Sequence, residues 1–459
     1  MTELRTQLFA RLDSHVPGYG LYAFRILFGL TLIYSLGRFW YYGWVEQFFI
    51  KPSFHFKYWG FAWIPDLSPV MVYGLFTVLT LLAVFITLGI FYRISAVLFF
   101  FGFSFLQLLD AANYLNHYYL VVLISFLMVF LPLDAGYSWN KRTPQSVPLW
   151  TYAILRFQFG VVYFYAGLAK LNADWLLSAQ PMNIWMSART DTPLIGEFLK
   201  FSWSHYAMSW AGFLFDTTIV LWLCLGKTRK IAFLTLVVFH WVTGYFFSIG
   251  LFPLIMVVGA ATFFPPNWPE QIFKSMPNLF KITGPYLSPQ RAQYLPDLKN
   301  SGLLRAAMLG WICFHLFMPL RHFIYKDPVT WTEQGMRFSW KVMVREKNGS
   351  VTFRVRNKAT GREWQVSPRS YLSIDQEREM SGQPELILQL AKHIGSEFNK
   401  KGRGPVAVYA DALVAWNGRP RARFIDPEVD LLQVEEGFWQ KPWVLPPPNL
   451  KPILLGANQ

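Results

Sequence analysis

Long runs of apolar residues constrain this chain more than any other feature of its sequence. A helix needs about 20 mostly apolar residues to cross the ~30 Å hydrocarbon core of a bilayer. Candidate runs occupy nine places, at 21–40, 70–91, 94–110, 117–133, 149–171, 206–225, 231–249, 251–264 and 303–320. Because 94–110 and 251–264 are the weakest, we predict a polytopic α-helical membrane protein with about eight or nine transmembrane helices.

The composition agrees with a chain that lies in lipid. Hydrophobic residues make up 53% of the sequence and aromatic residues 19%, whereas only 15% are charged. Soluble domains carry about 25% charged residues. The net charge of +15 comes from basic residues scattered between apolar runs, without the continuous basic stripe of a nucleic-acid interface, so we expect the lipid bilayer and no nucleic acid as a partner.

The distribution of Lys and Arg predicts how the chain is oriented, since these residues collect in cytoplasmic loops. With nine spans and a cytoplasmic N-terminus, thirteen basic residues fall inside, and four fall in outside loops: Lys51, Lys57, Arg189 and Lys200. We therefore divide the chain into a cytoplasmic segment 1–20, a transmembrane domain 21–320 and an outer domain 321–459. The outer domain would lie in the periplasm or the endoplasmic-reticulum lumen.

The pattern after about residue 320 is typical of a β-rich domain. Short alternating runs predict strands at 331–344, 351–356, 363–366, 406–409, 413–416 and 421–425. The pairs Asn348-Gly349 and Asn417-Gly418 are hairpin signals, and 384–399 has the pattern of an amphipathic helix. The proline-rich tail, 442–452, is expected to run extended along a surface.

Familiar site motifs are missing from the sequence. Its two cysteines, Cys224 and Cys313, fall inside predicted spans, and its eight histidines are dispersed. There is no HExxH or CxxC pair, no Walker or GxGxxG loop and no GxSxG elbow. We therefore expect no metal site, and neither a nucleotide-binding enzyme nor a serine hydrolase.

Ionisable residues inside spans are expensive in lipid and commonly mark functional sites. Five are present: Arg25, Arg156, Lys170, Asp216 and His240. Lys170 stands out because Tyr163, Ala166 and Gly167 precede it at helical spacing, so small residues and an amine share one helix face. Two interpretations fit Lys170: a snorkelling ammonium, or a functional amine kept neutral by desolvation so that it acts as a general base.

The other polar residues of the spans also have structural explanations. His117 begins a span among Asn and Tyr residues, which fits either an interfacial belt or a site on the same outer side as Lys170. His240 lies between two aromatic residues and fits a buried, hydrogen-bonded histidine. Arg25 and Arg156 are expected to pair with Asp216 or with carbonyl groups.

Several blocks resemble, in order, the vitamin K-dependent γ-glutamyl carboxylase family. The segment 163–175, with the sequence YFYAGLAKLNADW, resembles the lysine signature of the family. Asn116-His117-Tyr118-Tyr119-Leu120 resembles its Asn-His segment, and the stretch from Phe239-His240 through 247–253 resembles its later FSIGMFP-like helix pair. Residues 331–335, 338–340 and 424–430 resemble the start and end of its lumenal domain. The chain would be a short member with an HTTM-type membrane domain, and Ala169 stands where animal members carry a second lysine.

The resemblance implies vitamin K hydroquinone-dependent γ-carboxylation of glutamate, coupled to quinol epoxidation. Lys170 would be the base that deprotonates reduced vitamin K, with O2 and CO2 as co-substrates, and His117 would act in carboxylation. Asn116, Tyr163 and His240 are expected to bind the cofactor. The implied partners are a protein or peptide glutamate and a quinone reductase that supplies hydroquinone.

Three alternatives remain open from the residues alone. A member of the family can epoxidise quinol without carboxylating protein, or act on another substrate. A non-enzymatic membrane protein can bind or transport quinone through a polar path, although no internal repeat is visible. Electron transfer is disfavoured because haem, flavin and iron–sulfur motifs are absent.

Overall fold

The structure, a computed structural model, describes residues 2–139, 145–247, 249–275, 290–291, 298, 301–439 and 441–455. In the first two thirds of the chain the helices are α1 (Thr2–Leu12), α2 (Tyr19–Tyr41), α3 (Trp44–Phe49), α4 (Pro69–Leu88), α5 (Tyr92–Leu108), α6 (Asn116–Phe130), α7 (Trp150–Lys170), α8 (Ala173–Ser178), α9 (Met182–Ser187), α10 (Ser202–Cys224), α11 (Arg229–Phe246), α12 (Phe252–Ala260), α13 (Trp268–Ser275) and α14 (Gly302–Phe317). Three short strands, β1 (His15–Pro17), β2 (Gln145–Pro148) and β3 (Gln290–Arg291), form a small sheet in the order β1-β2-β3.

Local sequence explains where the apolar helices begin and end. The side chain of Ser68 accepts a hydrogen bond from Met71 N and caps α4, whose first residue is a proline. The same helix ends at Gly89, which takes a left-handed conformation with φ of +72°. Between these signals the helix is mostly apolar and has no charged residue, which is typical of a helix in lipid.

A helix lies at each of the nine predicted positions, but length and hydropathy do not support the predicted count. Within the described residues five helices are long and apolar enough to cross a membrane: Tyr19–Tyr41, Pro69–Leu88, Trp150–Lys170, Ser202–Cys224 and Gly302–Ile324. Tyr92–Leu108, Asn116–Phe130 and Phe252–Phe263 are apolar but have only 10–17 residues, so they rise about 15–26 Å. Loop residues lengthened the predicted runs 117–133 and 251–264, whereas 94–110 is as long as the helix Tyr92–Leu108. By length and hydropathy the structure supports a polytopic helical membrane protein with five of the predicted eight or nine spans.

The helices pack in two connected groups. In the first, α2 contacts α4, α4 contacts α5 and α5 contacts α6. In the second, α7 contacts α10, α10 contacts α11 and α11 contacts α12. The two groups meet where α12 packs against both α2 and α7, which places the outer ends of α6, α7 and α11 around one region.

The predicted β-rich domain is present near the C-terminal end of the chain. Its helices and strands are α15 (Val329–Thr332), β4 (Lys347–Asn357), β5 (Glu363–Val366), α16 (Ile374–Ser381), α17 (Pro384–Lys400), β6 (Val406–Trp416) and β7 (Arg419–Arg423). The four strands are antiparallel in the order β5-β4-β6-β7. Apolar side chains of β4 and β6 pack against α17 in one core, which explains the alternation seen in the sequence.

One strand prediction and one hairpin prediction were wrong. The run 331–344 is not a strand, because it forms α15 and a series of turns with several residues at positive φ. Asn348-Gly349 lies inside β4, where Gly349 pairs with Val414. A Cβ at Gly349 would lie 2.8 Å from Ser381 O, so this glycine admits the end of α16 instead of making a turn. Asn417-Gly418 does connect β6 and β7.

The β-rich domain contacts the outer ends of the membrane helices directly. Asp174, which follows α7 closely in the chain, accepts two hydrogen bonds from Arg419, at 2.9 and 2.7 Å, and one from Asn417 at 3.0 Å. Trp185 Nε1 donates to Glu346 Oε2 at 2.7 Å. Charge-assisted contacts of this kind fix orientation as well as proximity, so the outer domain bears on the region where α7 ends.

Candidate active site

The last turns of α7 place a lysine beside the neighbouring helix α10. Small residues on α7 allow that approach: a Cβ at Gly167 would lie 2.6 Å from Thr217 Cγ2 and 3.0 Å from Thr217 N. No side chain larger than hydrogen fits at this crossing without movement of a helix. The close contact brings Asp216 of α10 level with Lys170.

Lys170 is buried and paired with an acid. Its Nζ donates to Asp216 Oδ2 at 2.7 Å and to Ala166 O at 3.2 Å. A third contact, to Val342 O at 3.4 Å, comes from the outer domain, and the ring centroid of Trp175 lies 5.1 Å from the same nitrogen. Lys170 is 5% exposed and Asp216 7%, so the snorkelling interpretation of Lys170 is wrong.

Arg25 and Arg156 were expected to pair with Asp216 or with carbonyl groups, and the structure shows the second alternative for both arginines. Arg25 donates to Leu133 O at 3.1 Å and to Tyr137 O. Arg156 donates to Thr262 O at 2.8 Å and to Phe264 O at 3.2 Å. These guanidinium groups hold loops at the opposite end of the helices and leave Asp216 for the lysine.

A second polar pair lies in the same region. Tyr163 Oη and His240 Nε2 are 2.7 Å apart, and both residues are buried. The rings of Phe215, Phe239 and Phe252 surround His240. Among the described atoms, His240 Nδ1 has no hydrogen-bond partner, which makes it available to a ligand.

The two pairs share one cavity of about 200 Å³. Lys170, Tyr163 and His240, three of the five predicted site residues, line it together with Asp216. The remaining walls are mostly apolar and aromatic: Val162, Ala166, Trp175, Met182, Trp185, Met208, Ala211, Gly212, Phe239, Val242, Thr243, Phe246, Phe247, Ile249, Phe252, Val342 and Met343. An apolar chamber with a few polar groups on its wall is the usual form of a small-molecule site.

His117 and Asn116 do not line this cavity. His117 packs behind its wall, where a Cβ at Gly250 would lie 3.1 Å from His117 Cε1, and the neighbouring Ile249 is a wall residue. Gly250 has φ of +61°, a conformation that favours glycine, and a side chain there would also crowd the imidazole ring of His117. Asn116 Oδ1 accepts from Tyr114 Oη at 3.0 Å. Ser248 of the same sequence block lies outside the described residues.

A larger and more polar cavity, of about 680 Å³, lies between the outer end of α7 and the β-rich domain. Segment 341–344 separates the two cavities, since Val342 and Met343 face the smaller one and Lys341 and Val344 the larger. His322, Lys326 and Arg419 also line the larger cavity. Burial lowers the pKa of Lys341 to about 8, so this cation faces the space with little solvent around it.

No metal-binding group is formed within the part of the chain that the structure describes. Nowhere among those residues do three His, Cys, Asp or Glu side chains come together in a way that could hold an ion. The two polar pairs of the smaller cavity each consist of only two side chains.

Comparison with known proteins assigns both parts of the chain. No solved structure matches it. The HTTM domain family matches residues 15–268, which is more than half of the chain and includes Lys170, Asp216 and His240. The lumenal domain of vitamin K-dependent gamma-carboxylase matches residues 300–449. With the two matches in this order, the chain belongs to the vitamin K-dependent gamma-carboxylase family.

Proposed function

We propose that the protein catalyses vitamin K hydroquinone-dependent γ-carboxylation of glutamate coupled to epoxidation of the quinol, with Lys170 as the base. The observation that carries the proposal is the buried Lys170–Asp216 pair at 2.7 Å on the wall of an apolar cavity. A base that must act on an apolar substrate needs both features. The family match names the same cofactor.

The residues present fit a naphthohydroquinone. The apolar walls suit a flat bicyclic ring, and Lys170 Nζ and the unpartnered His240 Nδ1 are available to its two hydroxyl groups. Ala211 lines the cavity and is itself exposed on α10, which leaves a way in from lipid. When bound, the hydroquinone would supply with O2 the strong base that removes the γ-proton of glutamate before CO2 adds.

The Lys170–Asp216 pair is suited to accepting a proton inside a membrane. A buried ion pair loses much of its Coulombic gain to desolvation, so an amine–carboxylic acid form of the pair becomes accessible. One proton is then shared between Nζ and Oδ2, and a second can be taken from a hydroxyl group in the cavity. The pair ends as ammonium and carboxylic acid, and its positive charge balances the negative charge left behind.

Tyr163 and His240 would position the ring. If the Tyr163 hydroxyl donates to Nε2, His240 carries its own proton on Nδ1 and can donate it into the cavity. The walls exclude water, which would otherwise protonate the reactive base. Asn116 would act indirectly: its contact with Tyr114 fixes the start of α6 and thereby the position of His117.

His117 would act in the carboxylation step. It packs against Gly250, directly behind the wall residue Ile249, so a small movement of the 249–251 turn would bring its ring to the cavity. We expect His117→Ala to reduce labelled CO2 incorporation at least about tenfold more than quinol epoxidation. An equal loss of both activities would contradict this role.

The acceptor would be a protein or peptide glutamate that arrives from the outer side. The 680 Å³ cavity faces that side, and Lys326, Lys341 and Arg419 outnumber the acidic Asp174 and Asp327 on its wall, which also carries His322. This balance of charge favours a carboxylate. The hydroquinone would be regenerated by a separate quinone reductase. Both partners belong to the proposal.

For topology we propose nine membrane crossings, with a cytoplasmic segment 1–20, a membrane domain 21–320 and an outer domain 321–459. Hydrogen bonds group the helix ends in a way that agrees with this topology. At the proposed cytoplasmic end, Arg25 binds Leu133 O and Arg156 binds Thr262 O. At the outer end, Asp174 binds Arg419. The shorter helices would cross where the bilayer thins locally. A reporter fused after residue 455 should be active only in the periplasm or lumen, and cytoplasmic activity would refute the topology.

The proposal is tested by following two products of the detergent-purified protein together. Reduced vitamin K, O2, labelled CO2 and a glutamate peptide are supplied, and quinone epoxide and labelled peptide are measured. Both products together would establish the carboxylase. Epoxide alone would indicate an oxygenase without protein carboxylation or with another acceptor. A folded protein that binds hydroquinone but makes no epoxide would be a quinone-binding or transport protein.

A further inference from the structure

The tail of the chain, residues 441–455, follows the outer edge of β7 and then crosses to the membrane domain. Leu445 N donates to Phe424 O at 2.9 Å, and Leu450 O accepts from Arg419 Nε at 2.9 Å. Between these two contacts lie three consecutive prolines, 446–448, which have no N–H to give to a strand edge. The tail covers this edge without forming a full strand.

Beyond the prolines, the tail lies in a groove that binds its main chain. The groove is formed by Gln180, Asn183, Gly418 and Arg419, and we call it the tail groove. Asn183 Nδ2 donates to Leu455 O at 2.9 Å while Asn183 Oδ1 accepts from Leu455 N at 2.8 Å. One amide side chain thus pairs with both main-chain groups of one residue, as a neighbouring β-strand would.

The remaining contacts in the groove also go to the main chain. Ile453 N donates to Gly418 O at 2.9 Å, and Ile453 O accepts from Gln180 Nε2 at 3.3 Å. A Cβ at Gly418 would lie 3.1 Å from Ile453 O and 2.9 Å from Gln180 Nε2. Only a glycine lets the two backbones approach this closely. The turn between β6 and β7 therefore both connects its strands and binds the main chain of the tail.

A buried histidine, His205, orients the Asn183 amide that binds the tail. His205 Nε2 lies 2.8 Å from Leu199 O, a carbonyl that only accepts, so Nε2 carries the proton. Nδ1 of the neutral ring is then an acceptor, and it faces Asn183 Nδ2 at 2.9 Å. This contact fixes which end of the Asn183 amide donates and which accepts, independently of the tail.

The side chains of the tail contribute little to its binding. Ile453 is 56% exposed and Leu455 47%, although both are apolar. A segment held by its backbone, with its side chains outside, can be replaced by another extended segment of different sequence. An anchor for lipid would depend on its side chains and would need no main-chain partners from Gln180 and Asn183.

Two observations connect the groove with an acidic peptide and with the cavity of Lys170. Arg421 and Arg423 of β7 are exposed, and among the arginines of that strand, in the described part of the chain, only Arg419 is in a salt bridge. Met182 and Trp185, on either side of Asn183 in α9, line the cavity. A peptide in the groove would lie about one helix diameter, ~10 Å, from the cavity.

We propose that the tail groove is a peptide-binding site for an extended segment of the glutamate-bearing substrate, and that residues 450–455 occupy it as a tethered competitor. The identity of the peptide rests on the proposed function. The groove itself recognises main chain, with β7 arginines beside it for acidic side chains. Because the tail is tethered, its effective concentration is high and it lowers the apparent affinity for a free peptide.

The test uses a chain that ends at Asn449, embedded in nanodiscs, and a fluorescent peptide with the sequence of residues 449–455 as probe. We expect the shortened chain to bind the probe at least about tenfold more tightly than the full chain. An unlabelled glutamate octapeptide should displace it. N-methylation at the positions of Ile453 and Leu455 should abolish binding, whereas Ala side chains there should not.

Several results would overturn the proposal. Equal binding of the probe to empty nanodiscs would identify the tail as a lipid-seeking segment. Binding lost with Ala side chains but kept after N-methylation would refute main-chain recognition, and so would a failure of the glutamate peptide to compete. In the shortened chain, Asn183→Leu should weaken binding at least about tenfold, while Asn348→Leu, an exposed control, should not.

The binding assay needs neither hydroquinone nor O2, so it separates this proposal from the proposed function. If the glutamate peptide displaces the bound probe but the full chain forms no epoxide, the peptide-binding groove is supported and the carboxylase proposal is refuted. Epoxide and carboxylated peptide without competition for the probe would establish the enzyme and refute the groove.

Discussion

Two lysines with buried side chains, one in each part of the molecule, both contact aromatic rings and an acid, but only one of them faces a cavity. Lys170 lies over the ring of Trp175 and pairs with Asp216, and Lys347 lies over the rings of Trp331 and Phe424 and pairs with Glu333. Each amine also donates to two carbonyl groups, Lys170 at 3.2 and 3.4 Å and Lys347 at the shorter 2.7 and 2.6 Å. Lys170 faces a cavity of about 200 Å³, which gives its amine room to meet a ligand.

The comparison teaches that burial and an acid partner do not by themselves indicate catalysis. Both lysines are expensive to bury, and each has one carboxylate and two carbonyl groups as acceptors. What distinguishes Lys170 is the open space beside it, where the pair is proposed to take up a proton.

The largest effect is expected at the amine of Lys170. Lys170→Arg keeps a cation and donors but removes a group that can be neutral, so quinol epoxidation should fall by about 10³-fold or more. Epoxide formation by purified protein measures it. Lys347→Met serves as the control and should retain turnover per folded molecule; turnover of Lys170→Arg at the level of this control would refute the base.

Asp216→Asn should have the next largest effect. The amide has the shape of the acid but cannot hold the shared proton, so we expect epoxidation to fall about 10²-fold and its pH profile to change. The measurement is kcat across a pH range at saturating hydroquinone. A variant with an unchanged profile and a raised KM would show that Asp216 only holds the lysine in place.

Gly167→Ala tests the helix approach that forms the pair. The added Cβ meets Thr217 of α10 at 2.6 Å, so the helices must separate and epoxidation should fall about tenfold, at a cost of about 1–3 kcal/mol in stability. Gly160→Ala, on the same helix, places a Cβ at an ordinary 3.4 Å from Val220. Equal activity of the two variants would contradict the explanation.

Substitution of Lys347 is expected to change activity least. Its effect is expected on the pH dependence of thermal stability. Burial lowers the pKa of Lys347 to about 7 from its usual 10.5. The unfolded chain therefore binds more protons between pH 7 and 10.5, and the penalty of burying the charge is relieved as pH rises through this window, by at most about 1.4 kcal/mol per pH unit.

Lys347→Met should remove this contribution from the pH dependence of thermal unfolding. The difference in melting temperature between the two proteins, measured from pH 7 to 10, should change steadily with pH. Lys401→Met, an exposed lysine paired with Glu397, should show no such trend. A constant difference for Lys347→Met would mean that its amine is charged throughout.

Much of the fold could be predicted because it depends on local pattern. Apolar runs placed every long helix, and alternation located β4, β5 and β6. Span length was less predictable, since hydropathy extends into loops that the helices do not include. The Asn348-Gly349 signal failed because a packing contact with Ser381 required the glycine, and such contacts depend on the whole fold.

The candidate site was predictable only in part. Lys170, Tyr163 and His240 could be named from the sequence, and the structure places them on one cavity. Asp216 was noted as an acid within a span, and the small residues before Lys170 were a signal for its partner helix. The contact with Val342 O had no signal, because it depends on how the outer domain meets α7.

The proton that we propose Lys170 and Asp216 to share has a consequence for energised membranes. The two heavy atoms of the pair are 2.7 Å apart, about a tenth of the ~30 Å hydrocarbon core. A unit charge that crosses the whole membrane gains about 2.3 kcal/mol per 100 mV, so transfer within the pair involves only ~0.2 kcal/mol at that voltage. Proton transfer between Lys170 and Asp216 should therefore proceed at nearly the same rate in a polarised and in a depolarised membrane.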